Sequence, residues 1–377
     1  LRLGLGALRL SSDLCNKAFL IKQKEQSMTK NVIAVDVGYG NTKAVWGHCI
    51  DTLGKECWAE VCFRSVAPLM MVDEEKSGGT HNPDRIALQV NGKKYYAGPA
   101  ASWGVEARAL DPHYIDTDEH EALLRASIHI AMREKRELFE EIDMLVVGLP
   151  VSGFRSRGRR LQELASLARE VPVPSVLQVA GEPRTVTVRA KQVKVIPQPF
   201  GGLRYAAEYL PQDDELFSGK ALSMVIDPGY HTFDWFVSNG MQPEMKLSGS
   251  FDGGVSGLLR LLSQAIGYDH GTGSLEFDQV EEGMLRGSIN LGYQVIDTRP
   301  YRAILEEAAR KEVMAFLGRI DANKARLSRV FLTGGGAPFY QRALVEKLPG
   351  YQIHTLQNSV MGNARGYWLS GCDEFDG

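Results

Sequence analysis

The chain has 377 residues, 44% of them apolar and 24% charged, with a net charge of −3. That suits a globular protein of two domains and carries no bulk signal for nucleic acid or an acidic membrane surface. No apolar run approaches the roughly 20 residues of a membrane helix. The five cysteines (Cys15, Cys49, Cys57, Cys62 and Cys372) contain no CxxC pair, which points to reduced thiols, no zinc site and a cytoplasmic location.

Residues 1–27 carry five Lys/Arg against two acids and differ in character from the rest of the chain. They are expected to be a disordered or non-native extension, with Met28 as the natural start. "NVIAVDVGYGNTKAVWG" (31–47) then reads as a buried strand, a Gly-rich turn and a second strand. Residues 60–70 and 86–101 read as further strands, separated by an exposed loop at 73–85. A helix is expected over 118–142. Leu123, Leu124, Ile128, Ala131, Met132, Phe139 and Ile142 keep its 3.6 period, and Asp118 is placed to cap it. Residues 143–151 form an apolar run of the central-strand kind. A helix follows at 155–170, and then strand, turn and helix at 184–210.

The second half repeats this grammar. "KALSMVIDPGYHTFDWFVSNG" (220–240) is again strand, Asp-x-Gly turn, strand. Helices are expected at 253–267 and 299–320. "RVFLTGGGAPFYQRALVEKL" (329–348) is a strand that breaks at three glycines and becomes a helix, and a terminal helix covers 358–371.

"VDVGYGNTK" (35–43) and "IDPGYHTFD" (226–234) are therefore one device used twice. Glycine lets backbone N–H groups close on an anion, and a strand-end aspartate can hold a metal against it. The glycines of "FLTGGGAPF" (331–339) allow close approach to a ligand at a helix start. The blander alternative is two unrelated hairpins whose aspartates only cap turns.

The ordered set resembles the actin, Hsp70 and sugar-kinase ATPase superfamily over nearly all of 28–371. Within it the chain is most similar to the ParM/StbA plasmid-segregation actins, through "KYYAGPAA", "VVGLPVSGFRSRGRRL", "VIPQPFGGLRYAAE" and "GSFDGGVSGLLRLLSQAI". A narrower resemblance is to protein D of the ParB-related, ThiF-related cassette. The fold implied is α/β: an actin-like (ribonuclease H-like) duplicated fold of two domains with a nucleotide cleft between them. Domain I would comprise 28–212 and 353–377, and domain II 213–352.

The resemblance implies ATP or ADP and Mg²⁺ as cofactors. Asp36 and Asp227 would hold Mg²⁺ through waters. Lys43 and the backbone around Gly38, Tyr39, Gly40 and Asn41 would meet phosphate. So would Gly229, Tyr230, His231, Thr232 and Gly254. Gly334, Gly335 and Gly336 would pack under the nucleoside, and Gln198 would orient the attacking water. The second hairpin departs from the family's "DxGGTTxD" at Pro228, Tyr230 and His231; the His231 side chain is expected to face away from phosphate, which meets the backbone donors.

Gln198 could also be a plain turn residue between two prolines, and Asp234 reads as a structural partner. "RSRGRR" (155–160) reads as a solvated helix start. No direct nucleic-acid site is evident, because the aromatic residues lack interleaved basic positions. The implied function is an ATPase that polymerises with copies of itself and meets plasmid DNA through an adaptor. The alternatives are a small-molecule kinase on the same fold and a non-hydrolysing nucleotide-gated scaffold.

Overall fold

The computed structural model describes residues 30–51, 54–70, 82–101, 113–211, 214–219, 222–324 and 326–375. The expected extension at 1–27 and most of the 73–85 loop lie outside the described residues. The chain divides into two units. Unit 1 comprises residues up to Leu149, Ser156–Ile196 and Tyr367–Gly377; unit 2 comprises Pro150–Arg155 and Pro197–Gly366.

Unit 1 is built on strands β1 (Val32–Val37), β2 (Asn41–Ile50), β3 (Glu56–Arg64), β6 (Glu141–Leu149), β7 (Arg169–Pro172) and β8 (Thr185–Pro197). Their order in the sheet is β3-β2-β1-β6-β8-β7. β1 runs antiparallel to β2 and parallel to β6. Val32, Ile33, Ala34 and Val35 are all buried, which is why β1 reads as an unbroken apolar run.

Helix α1 (Asp118–Lys135) packs on this sheet and buries most of its middle, including the polar Ser127 and His129 beside Leu123, Leu124, Ile128 and Met132. Its cap is Thr117, whose side chain accepts from the His120 N–H, and Asp118 sits in the first turn. The helix stops seven residues short of the expected end. Arg136 takes a left-handed conformation (φ 53°), and Ile142 belongs to β6, so the apolar period continued only by coincidence. Residues 86–101 also differ from the expectation of plain strand. β4 (Ile86–Val90) and β5 (Lys93–Ala97) form a hairpin about Asn91-Gly92, both at positive φ, as a tight primed turn requires. Helix α2 (Val151–Ala165) starts four residues before its expected position.

In unit 2, β9 (Leu222–Pro228) and β10 (Thr232–Asn239) form an antiparallel hairpin. The edge of β10 pairs with β11 (Gln242–Pro243) and β12 (Gly249–Asp252). The edge of β9 pairs in parallel with β15 (Leu327–Leu332), which pairs in turn with β16 (Ile353–Thr355). The path β12-β10-β9-β15 thus repeats β3-β2-β1-β6, which is the expected duplication. β9 and β10 bury both faces. Met224, Ile226, Phe233 and Trp235 join the larger core, while Val225 and Phe236 join a second core on the other side.

Helix α3 (Gln198–Ala207) covers that second face through Leu203, Ala206 and Ala207. This packing groups 197–212 and 353–366 with unit 2, whereas the sequence division put them in the first domain. After a short helix α4 (Glu215–Ser218) and the hairpin come α5 (Val255–His270), α6 (Phe277–Arg286), α7 (Arg302–Lys324), α8 (Ala337–Lys347) and α9 (Gly362–Cys372). Between α6 and α7 lies a small hairpin, β13 (Ser288–Asn290) with β14 (Val295–Asp297). Neither α6 nor this hairpin was expected from sequence. α3 and α9 cross so closely that a Cβ on Gly366 would lie 1.7 Å from the Gly201 carbonyl oxygen. No helix among the described residues is long and apolar enough to cross a membrane.

Candidate functional site

The two Asp-x-Gly hairpins share two backbone hydrogen bonds. In unit 1 the Gly38 N–H donates to the Asn41 carbonyl (3.2 Å), and in unit 2 the Gly229 N–H donates to that of Thr232 (2.8 Å). A Cβ at either glycine would stand 3.1 Å from the same acceptor oxygen. The carbonyl two residues on is held by the third strand's end in both cases: Gly40 O accepts from Ser65 N–H, and His231 O from Gly253 N–H. Tyr39 stacks on Tyr114 with ring centroids 5.1 Å apart, and Tyr230 packs against the unit 2 core.

The hairpins differ in what faces the strand-end carboxylate. Asp36 is 1% exposed and faces Lys43, whose ammonium donates to Asp36 Oδ2 at 2.8 Å. Asp227 is also buried and faces Asp234. Asp227 Oδ2 accepts from Asn363 Nδ2 at 2.7 Å. Asp234 Oδ1 accepts from the Val151 N–H at 2.8 Å, which explains the early start of α2.

Around Asp227 the backbone closes tightly. Thr333 N–H donates to Ile226 O, Gly334 N–H to Ser359 O and Gly336 N–H to Pro228 O, each at 2.9 Å. A Cβ on Gly334 would lie 2.0 Å from Asp227 Oδ1, and one on Gly336 2.6 Å from Pro228 O. Gly335 has nothing within 4 Å of its Cβ position, so steric need falls on two of the three glycines. From α5, Val255 N–H donates to Gly229 O and Ser256 N–H to Tyr230 O. In a trans peptide the carbonyl and the next N–H point oppositely. The N–H groups of Tyr230 and His231 therefore face away from α5, as an anion cradle requires.

Sequence comparison agrees with this double construction. Residues 34–201 match the family model for the N-terminal domain of actin-like proteins, and 225–346 match that for the C-terminal part of archaeal actin homologues of the MreB-like kind. The chain is an actin-like protein. Solved structures share its fold. Ta0583, an archaeal actin homologue, is 21% identical with a TM-score of 0.69, and the match covers 91% of this chain and 99% of that one. Ta0583 is also described in complex with ADP. ParM in a 15-stranded filament from Clostridium botulinum is 19% identical (TM-score 0.67; 92% and 100% covered). ParM from Bacillus thuringiensis with ATP is 14% identical (TM-score 0.65; 93% and 100% covered). No curated protein matches the chain.

In this actin-like protein, Asp227, Gly229 to Thr232, Gly334 and Gly336 come together within unit 2, while Asp36, Gly38 to Asn41 and Lys43 come together within unit 1. Gly254 (φ 102°) lies behind the hairpin. Its Cβ position is 2.5 Å from Gly229 O, and its N–H donates to Glu312 Oε2 at 2.8 Å, so it buttresses the turn. Glu312 also accepts from Tyr340 OH at 2.6 Å. Gln198 heads α3, directly after Pro197 at the N-cap position. One turn on, a Cβ at Gly202 would meet Thr333 at 3.0 Å and Asn363 at 3.2 Å, so Gln198 lies on the helix face that runs toward the Gly334 loop. Asn363 and Glu312 were missed from sequence, since their partners Asp227 and Gly254 lie 136 and 58 residues away.

Among the described residues no group of three or more His, Cys, Asp or Glu gathers as a metal cluster. Asp36 in unit 1 and Asp227 in unit 2 each offer a single hard carboxylate at a strand end. A carboxylate oxygen is the donor type that Mg²⁺ takes, one or two at a time, while it keeps most of its waters.

Burial, and then the facing Asp227, push the Asp234 carboxyl from its ordinary 3.8 up to about 7, against hydrogen bonds from Thr232, Val151 and Ser250. Between those values the folded chain holds a proton that the unfolded chain has released. This contribution to stability is therefore fully present below about pH 4 and is lost as pH rises through about 7. Asp234→Asn keeps an acceptor for Val151 and removes the titration. Thermal melts should show wild type losing ground against the variant from about pH 5 to about pH 8; parallel pH profiles would contradict this.

Proposed function

We propose that this actin-like protein binds Mg²⁺·ATP, hydrolyses it and assembles with copies of itself. The matched hairpins carry the reading, since each presents a strand-end carboxylate and a glycine turn. In unit 2 the turn's carbonyls are tied back so that the Tyr230 and His231 N–H groups face outward. Relatives described with ADP, with ATP and as a filament support it. DNA segregation through a DNA-binding adaptor is the cellular use that the ParM likeness suggests.

In this reading Asp36 and Asp227 are the carboxylates that would hold Mg²⁺, through its waters. Lys43 brings a positive charge to the phosphates, and the outward N–H groups bind phosphate oxygens. The glycines at 334–336 let the backbone lie close under the nucleoside. Bound Mg²⁺ would neutralise charge that develops on the phosphate oxygens. Gln198 has no basicity to offer and would act by orienting water, which a loose phosphoryl-transfer transition state mainly requires.

Sedimentation with ATP, ADP and a non-hydrolysable analogue, run beside phosphate release, tests the proposal. ATP-dependent pelleting with phosphate release is expected. Nucleotide binding with neither release nor pelleting would favour a gated scaffold, and hydrolysis without assembly under any nucleotide would favour a kinase.

A further inference from the structure

The fold brings together two thiols that are eight positions apart in sequence. Cys49 on β2 and Cys57 on β3 are direct partners in the antiparallel register. Directly opposed residues point to the same face of a sheet. Cys57 is 5% exposed and Cys49 is half-buried, and both are cysteines outside any disulfide. We propose that Cys49 and Cys57 form a peroxide-sensitive thiol pair that closes reversibly into a cross-strand disulfide.

The backbone sets the reach. Asp51 N–H donates to Lys55 O at 2.8 Å. By the two-residue alternation of an antiparallel ladder, Cys49 and Cys57 are then a pair that exchanges both backbone hydrogen bonds, with Cα atoms about 5.5 Å apart. Natural disulfides span Cα separations of about 4.4–6.8 Å. Their Cβ atoms need to come within about 4.5 Å, so the two strands must pinch slightly to close the bond. A bond formed under such strain is a readily reduced one, of the labile and regulatory kind.

The chemistry balances with hydrogen peroxide as oxidant. The Cys49 sulfur, the more exposed of the two, attacks the peroxide. An S–O bond forms, the O–O bond breaks and water leaves, giving a sulfenic acid. The Cys57 sulfur then attacks the Cys49 sulfur. The S–S bond forms, the S–O bond breaks and a second water leaves. The two thiols lose two electrons and the peroxide gains them. A dithiol returns both electrons. Closure would pin the far end of β2, whose first residue, Asn41, belongs to the unit 1 hairpin.

The test uses the full chain treated with hydrogen peroxide, alkylated, digested with trypsin without reduction and mapped by mass spectrometry. The expected result is a link between peptides 44–55 and 56–64, placed at Cys57 by fragmentation, with a loss of about two mass units that dithiothreitol reverses. Fragmentation matters because Cys62 shares the second peptide. In Cys57→Ser, Cys49 should instead be trapped by dimedone as a sulfenic acid. The proposal is overturned if Cys49 and Cys57 are both recovered as alkylated thiols after oxidation. It is overturned equally if the link runs to Cys62 or Cys372, or if Cys49 proceeds to the sulfinic acid with Cys57 untouched. Wild-type mapping alone decides it should the serine variant fail to fold.

Discussion

Gln198→Ala is expected to leave ATP affinity nearly unchanged and to slow hydrolysis by about 10²-fold or more, the usual cost of losing one positioning contact. The side chain heads α3 beside the Gly334 loop, and its removal takes no carboxylate from Asp36 or Asp227 and no backbone donor from either hairpin. The variant should hold ATP without cleaving it, and if assembly follows the ATP state its filaments should outlast those of wild type. Affinity for a fluorescent ATP analogue, measured beside filament lifetime by light scattering, separates the two effects. Unchanged hydrolysis would remove Gln198 from the mechanism.

Gly334→Ala should cost about tenfold or more in nucleotide affinity and should also lower the melting temperature. Gly334 sits at φ 85°, a conformation that costs an L-residue about 1–2 kcal/mol. The larger effect is steric. The new methyl would lie 2.0 Å from Asp227 Oδ1, and that carboxylate is held from the other side by Asn363. Either the loop or the carboxylate must move, and the carboxylate is the group assigned to Mg²⁺. Gly335→Ala is the matched control, since its Cβ position is open and its φ is not positive. Equal losses in both variants would show that the loop's general shape, not the contact at Asp227, matters.

The repeated hairpins were legible because a fully buried strand reads as an apolar run and its tight turn demands glycine; both signals are local. Helix α1 was read seven residues too long because Phe139 and Ile142 keep the helical period, while Arg136 takes up the left-handed stop without a glycine to announce it. Helix α6 and the β13–β14 hairpin went unseen for a different reason. In α6 only Val280, Gly283 and Met284 are buried, and each of the two strands is three residues long, so neither shows a clear period. At the site, Asp36 and Asp227 could be found because each ends an apolar strand. Glu312 and Asn363 could not. Their partners lie 58 and 136 residues away, and Glu312 looks like one more charge on an amphipathic helix that also carries Glu306 and Glu307. The upward push on the Asp234 carboxyl arises only once folding buries it and sets it opposite Asp227.

Every role proposed for the site depends on Asp227 and its hairpin binding Mg²⁺·ATP productively. The decisive experiment is single-turnover hydrolysis of ATP, with and without Mg²⁺, by wild type and by an Asp227→Ala variant whose fold is verified by circular dichroism. Mg²⁺-dependent turnover is expected in wild type and none in the folded variant. Wild-type turnover by that variant, or no binding of Mg²⁺·ATP by the intact chain, would overturn the assignment.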